Sequence, residues 1–262
     1  MPDIVVHNAM GDRVLQGLER DIAEGIDREI FRFAVMGPDP YIFYRFFALP
    51  LRRGVNRRST VMHETKTGRF LMELAVRSRK KAVFSFLAGF LCHYAMDSTA
   101  HPWINQASEH RSDLHTALEH RLDNLELERQ GRQRREIMRL FTRFPDLPEV
   151  QEAMKAVYGW DDHCFATSYR HMKWYHWIIK DQHGWLHFLL HRIPGGLSAI
   201  SYQTKRADSI DTSPFPALEE EAVRMGIRLI TAAWQYRLEQ ISEAELREAI
   251  GNRSYSGGES RE

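Results

Sequence analysis

In the stretch FLCHYAMDSTAHP, His93, Asp97 and His101 recur at i, i+4 and i+8. At about 100° per residue each step of four drifts only about 40°, so the three side chains project from nearly one face of one helix. Soon after come His115 and Glu119, again at i and i+4. Imidazoles and carboxylates in such pairs are ligands that zinc accepts, and one pair can place two donors on one ion. The competing reading is a set of buried histidines that hydrogen-bond neighbouring carboxylates and bind nothing. The surroundings favour metal: Ala82 to Leu91 is apolar almost all round, as in a buried helix, and an ionised Asp97 at the end of such a helix is unfavourable unless paired or metal-bound.

The elements that must position these groups read as helices throughout. Gly11 to Met36 carries Val14, Leu15, Leu18, Ile22, Ile26, Ile30 and Phe33 at helical period, and ends at Gly37-Pro38. The run VMGPDPYIFY sets Asp39 between two prolines, where a rigid turn is expected in place of a helix. Ser59 to Ser78 reads as one helix with His63 in its first turn. The apolar helix from Ala82 should close in a loop through Pro102, Trp103 and Asn105 before a second helix begins near Ser112. Glu136 to Phe141, Glu149 to Val157, Cys164 to Ile179 and Ala217 to Ala249 complete the set, with breaks at PDLP, at Ile193 to Gly196 and at SPFP. No strand alternation or internal repeat emerges. The expected fold class is therefore all-α, one multi-helix domain over residues 1–251 built around a polynuclear zinc site. The Gly- and Ser-rich stretch 252–262 is expected to be a flexible polar tail.

Composition bounds the rest. With 262 residues, 43% of them hydrophobic, the chain can bury a sizeable core, and a formal net charge of +1 excludes no class of partner. Basic clusters at Arg52, Arg53, Arg57 and Arg58, and at Arg129, Arg132, Arg134 and Arg135, read as solvated faces. Cys92 and Cys164 form neither a disulfide framework nor a Cys-x-x-Cys site. The opening MPDIVVHNAMGDRV lacks the features of a signal peptide, and Ala82 to Cys92 is too short to span a bilayer, so a cytoplasmic protein is expected.

Taken together, His7, Gly-Pro-Asp at 37–39, His63-Glu64, FLCHYAMDSTAHP and HTALE resemble the zinc-dependent phospholipase C family, whose superfamily includes single-strand-specific zinc nucleases. The resemblance runs from His7 to Glu119. It implies an all-helical fold in which Asp39, His63, His93 and Asp97 hold one zinc and His101, His115 and Glu119 a second. His7, with Asp97 as a bridge, would serve a third. Secreted family members complete that third site with a processed N-terminal tryptophan, whereas this chain begins MPDIVV, so two or three zinc ions are implied. The implied chemistry is phosphodiester hydrolysis, with Asp39 orienting or deprotonating the attacking water as well as touching a metal. Residue types alone equally allow a structural zinc site on a non-catalytic protein that binds a partner or a membrane surface.

Two features bear on substrate. His163, His171, His176, His183, His187 and His191 are interleaved with Trp160, Trp174, Trp177 and Trp185, and no carboxylate joins the His183–His187–His191 face. Packing explains them, and an interfacial helix among lipid headgroups, with Lys173 and Lys180 nearby, is the functional alternative. A groove for single-stranded nucleic acid would need aromatic platforms and cations, which the Arg52 to Arg58 cluster could supply. HYAMDSTAHP and GPDP look more like the phospholipase branch. A phospholipid substrate with peripheral membrane contact is therefore the expectation and nucleic acid the alternative.

Overall fold

In a computed structural model, the described residues are 4–47, 54–133, 136–137, 147–160, 164–178 and 204–262. They form helices α1 (Ile4–Gly17), α2 (Arg20–Glu24), α3 (Arg28–Ala34), a 3-10 helix (Asp39–Phe43), α4 (Arg57–Glu64), α5 (Thr67–Val76), α6 (Lys81–Ala107) and α7 (Ser112–Gln130). After these come α8 (Pro148–Tyr158), α9 (Cys164–Ile178), a single 3-10 turn (Lys205–Ala207), α10 (Phe215–Arg237) and α11 (Glu243–Ile250). Among the described residues there is no strand, only two isolated bridges, and the all-α expectation holds. Arg52, Arg53, Arg134, Arg135, His163, Lys180, His183, Trp185, His187 and His191 lie outside the described residues. So do most of the helix expected from Glu136, the Ile193–Gly196 break and the side chain of Trp177.

Helix α6 is the axis of the fold. Phe84, Phe86, Leu87, Phe90, Leu91, Tyr94 and Met96 point in several directions from it and are all buried. Between Val83 and Asp97 the helix has no solvent face and must be covered on every side, and α1, α3, α5, α7 and α10 pack round it. Contrary to the sequence reading, α6 does not end before Pro102 but continues to Ala107. Pro102 removes the N–H that would reach the Ser98 carbonyl, yet it lies on the exposed side of the helix. Ile104 beyond it is fully buried, and its packing holds the last turn in register.

Three other expected helices are divided. The stripe from Val14 to Phe33 does face the core, but it is carried by α1, α2 and α3. Asp27 starts α3 by accepting hydrogen bonds from the Glu29 and Ile30 amides at 2.9 and 3.2 Å, an N-cap that cannot sit inside a continuous helix. The Ser59–Ser78 segment breaks at Lys66, whose φ of 54° is left-handed, so His63 falls in the last turn of α4 and not in a first turn. The Ala217–Ala249 segment breaks after Arg237, and α11 restarts at Ser242 with a reciprocal Ser242–Glu245 capping box. Helix α1 starts at Ile4, earlier than its periodicity indicated, which places His7 on a helix.

The stretch 252–262 is not a free tail. Tyr255 is 1% exposed, and Ser254 and Ser260 are buried. The segment crosses α4 and α5, pairing Arg261 in parallel with Thr65. Small polar side chains that suggest disorder here let backbone run close to backbone and exchange hydrogen bonds.

Candidate metal centre

Five elements deliver eight side chains to one buried region. Helix α1 brings His7, the 3-10 helix Asp39, α4 His63, α6 His93, Asp97 and His101, and α7 His115 and Glu119. The Gly37-Pro38-Asp39-Pro40 corner is a short 3-10 helix in which Pro40 occupies the first turn, a position that needs no N–H. Gly37 is required by contact as much as by its φ of +49°: a Cβ there would lie 2.2 Å from Cδ2 of His93.

Donor atoms gather in three groups, the first two sharing His93: His7, His93 and Asp97; Asp39, His63 and His93; and His101, His115 and Glu119. Asp97 stands between the first two. Its Oδ1 is 3.3 Å from His7 Nε2, and its Oδ2 is 3.1 Å from His93 Nε2 and 3.3 Å from His63 Nε2. Asp39 Oδ1 is 3.3 Å from His63 Nε2 and 3.8 Å from His93 Nε2. In the third group, Glu119 Oε1 lies 2.7 Å from His115 Nε2 and 3.6 Å from His101 Nε2.

The opposite edges of the rings explain why these contacts are not ordinary ion pairs. Nδ1 of His63 is 2.6 Å from the Ser59 carbonyl, Nδ1 of His93 is 3.1 Å from the Val35 carbonyl, and Nδ1 of His101 is 3.0 Å from the Tyr255 carbonyl. A carbonyl only accepts, so each Nδ1 carries a proton, and Nε2 is the atom that each ring turns toward a carboxylate. Nε2 of His63, His93 and His101, both nitrogens of His7 and both oxygens of Asp97 are buried without a hydrogen bond. Buried carboxylate oxygens and imidazole nitrogens with no hydrogen bond crowd one another, an arrangement that is unfavourable unless a proton, as on His63, or a metal cation lies between them. Four ligands about 2.0–2.1 Å from zinc in a tetrahedron lie roughly 3.4 Å from one another, which fits the 3.1–3.8 Å spacings around Asp39 and Asp97. A carbonyl behind Nδ1, as at His63, His93 and His101, is the kind of outer support that metal-binding histidines use.

Electrostatics divide the groups. At Asp97 burial opposes ionisation, but His93 and His101, aided by His63 and His7, outweigh it and hold the carboxyl well below the usual range. Burial also disfavours the charged form of His63, yet Asp39 and Asp97 together raise it to about 9. Burial, reinforced by His93, lowers His7, and burial lowers His101 well below its ordinary value and His115 to about 3.

All eight residues singled out in the sequence thus come together. Of the other histidine set, the two described members lie elsewhere: His171 accepts a hydrogen bond from the Arg45 amide at Nδ1, and His176 packs on Phe43 and Tyr175. Sequence reasoning missed the outer supports, since Val35, Ser59 and Tyr255 act through backbone carbonyls that no side-chain pattern reveals. It also missed Asp123, whose carboxylate accepts the Val5 and Val6 amides at 3.2 and 3.0 Å and fixes the start of the helix that carries His7.

Comparison with curated proteins and with solved structures returned no match. Residues 6–181, about two thirds of the chain and all eight of these side chains, match the family described as zinc dependent phospholipase C. With that match over most of its length and buried groups of imidazoles and carboxylates that could hold metal ions, the chain belongs to the zinc-dependent phospholipase C family.

Proposed function

We propose that the protein is a zinc-dependent phosphodiesterase that cleaves a phospholipid headgroup, releasing diacylglycerol and a phosphorylated alcohol. The observation that carries this reading is Asp97, fully buried and shared among His7, His63 and His93, whose Nε2 atoms all face its oxygens. In this reading Asp39, His63, His93 and Asp97 hold one ion, His101, His115 and Glu119 a second, and His7 with Asp97 contributes to a third. Zinc in such sites supplies Lewis-acid polarisation of a phosphoryl oxygen and lowers the pKa of water to about 7.

The residues divide the remaining work. Asp97 is the fixed negative charge that offsets cations in a region with no solvent. The carbonyls of Ser59, Val35 and Tyr255 accept the Nδ1 protons of His63, His93 and His101, leave Nε2 as the atom for an ion, and fix the ring planes. Asp39 differs from the helix-borne carboxylates. It stands on a proline-flanked corner at 3% exposure, where one oxygen can face the ions while the other orients a water and accepts its proton. Held on so short an element, it positions that water against the phosphorus at little entropic cost.

The test is a side-by-side assay of zinc-loaded protein on phosphatidylcholine vesicles, a soluble phosphodiester and single-stranded DNA, each with Asp39→Asn as control. Lipid turnover that Asp39→Asn abolishes, with zinc largely retained, is the expected result. Cleavage of DNA alone would move the protein to the nuclease branch, and silence on all three substrates would leave a zinc-stabilised binding protein.

A further inference from the structure

Residues 252–262 lie well beyond the family match, which ends at 181, yet they touch both halves of the metal centre. Tyr255 makes the two decisive contacts. Its carbonyl accepts the Nδ1 proton of His101 at 3.0 Å, and its amide donates to the His63 carbonyl at 2.9 Å. Its ring meets those of His63 and His93 edge-on, with centroids 4.9 and 5.4 Å apart. His63 and His93 obtain their Nδ1 acceptors from Ser59 and Val35, inside the matched span; among the described residues the hydrogen-bond acceptor of His101 Nδ1 is Tyr255, with Asp97 Oδ2 farther off at 3.7 Å.

The segment is built to stay there. The Lys66 amide donates to the Arg261 carbonyl at 2.6 Å and the Arg261 amide to the Glu64 carbonyl at 2.9 Å, closing the far end against the turn that follows His63. In the middle, Gly257 reverses the chain at a φ of +101°, directly over α6, where a Cβ would sit 3.1 Å from Cγ of Pro102. The Gly-rich composition is thus the condition for laying backbone across the helix that carries His93, Asp97 and His101.

We propose that residues 252–262 form a positioning strap for the metal centre: through Tyr255 they fix the tautomer and plane of His101 and brace His63, coupling the second ion's ligands to those of the first. The inference rests on the reading of these histidines as zinc ligands. A free imidazole exchanges its proton between Nδ1 and Nε2, and only the Nδ1–H form presents Nε2 to Glu119 and a metal. Removing an outer hydrogen-bond partner of a ligating histidine typically weakens metal binding about 10- to 100-fold.

Three zinc-loaded proteins decide it: the full chain, a chain ending at Gly251, and the full chain with Gly257→Val, which keeps every hydrogen-bonding group but pushes the strap off Pro102. Zinc per chain, the rate of release to a chromophoric chelator, and the His101 tautomer from long-range nitrogen–proton NMR are measured, with circular dichroism to follow the helices. The expected result is unchanged helicity, release about 10- to 100-fold faster in both variants, and a His101 signal shifted from the Nδ1–H form to a mixture. If the shortened chain loses its helices, Gly257→Val decides by the same readouts. A full chain that holds zinc beside variants with the same release rate and the same His101 tautomer overturns the strap alone. A full chain that holds no zinc overturns the metal reading and the strap with it.

Discussion

Oδ2 of Asp97 lies 3.1 Å from Nε2 of His93, one turn back on the same helix, and neither atom makes a hydrogen bond. The Val35 carbonyl holds a ring proton on the other nitrogen, so the carboxylate and the second imidazole nitrogen are pressed together at zero exposure. Asp97→Asn keeps the size and removes the charge that would offset cations held beside His7, His63 and His93. We predict loss of at least one zinc per chain together with a drop in stability of roughly 3–5 kcal/mol, the usual effect of deleting one partner of a buried charged set. Elemental analysis and thermal melting of the same sample check it; an Asn variant with full zinc and an unchanged melting temperature would show that Asp97 is not a ligand.

The pH dependence should differ between the groups. In the metal-free protein His63 is raised from 6.5 to about 9, so its contribution to stability is complete below pH 6.5 and is lost as pH rises through about 9. His115, lowered to about 3, has the opposite sign: its contribution is complete above pH 6.5 and is lost as pH falls toward 3. Zinc entering beside Asp39 and His63 at pH 7 must therefore displace a proton, whereas zinc entering beside His101 and His115 displaces none. Titration calorimetry in two buffers of different ionisation enthalpy should detect proton release at pH 7 that fades above pH 9. Equal heats in both buffers at pH 7 would contradict the assignment.

Gly37→Ala should behave as a site mutation although it removes nothing. The left-handed backbone is about 1–2 kcal/mol less favourable with a Cβ, and that Cβ would overlap the His93 ring. The expected outcome is zinc loss with a destabilisation above that figure, measured by denaturant unfolding with and without added zinc. A loss of about 1 kcal/mol that is the same in both conditions would mean that the corner merely bends the chain.

Asp123→Ala tests how His7 is placed. It strands the buried Val5 and Val6 amides, which should reduce stability by about 1–3 kcal/mol and loosen α1. Zinc held with the help of His7 should be lost before zinc held by His101, His115 and Glu119, giving a variant with a reduced but non-zero metal content. Elemental analysis after graded chelation checks it, and simultaneous loss of all zinc would contradict separate sites.

The sequence by itself determined the axis of the fold and its ligand face. Ala82 to Leu91 is apolar almost all round and must be buried, and the four-residue spacing of His93, Asp97 and His101 forces them onto one side of α6, because both follow from helical period alone. The pairing of His115 with Glu119 is legible for the same reason. Tertiary structure decided what period cannot express. The apolar stripe from Val14 to Phe33 reads the same whether it lies on one helix or three, since only the Asp27 cap and the packing against α6 separate them. Pro102 reads as a stop, but burial of Ile104 carries the helix past it. Residues 252–262 read as a loose end because composition records side chains, whereas their hold on Lys66, His63 and His101 runs through backbone amides and carbonyls that every residue carries.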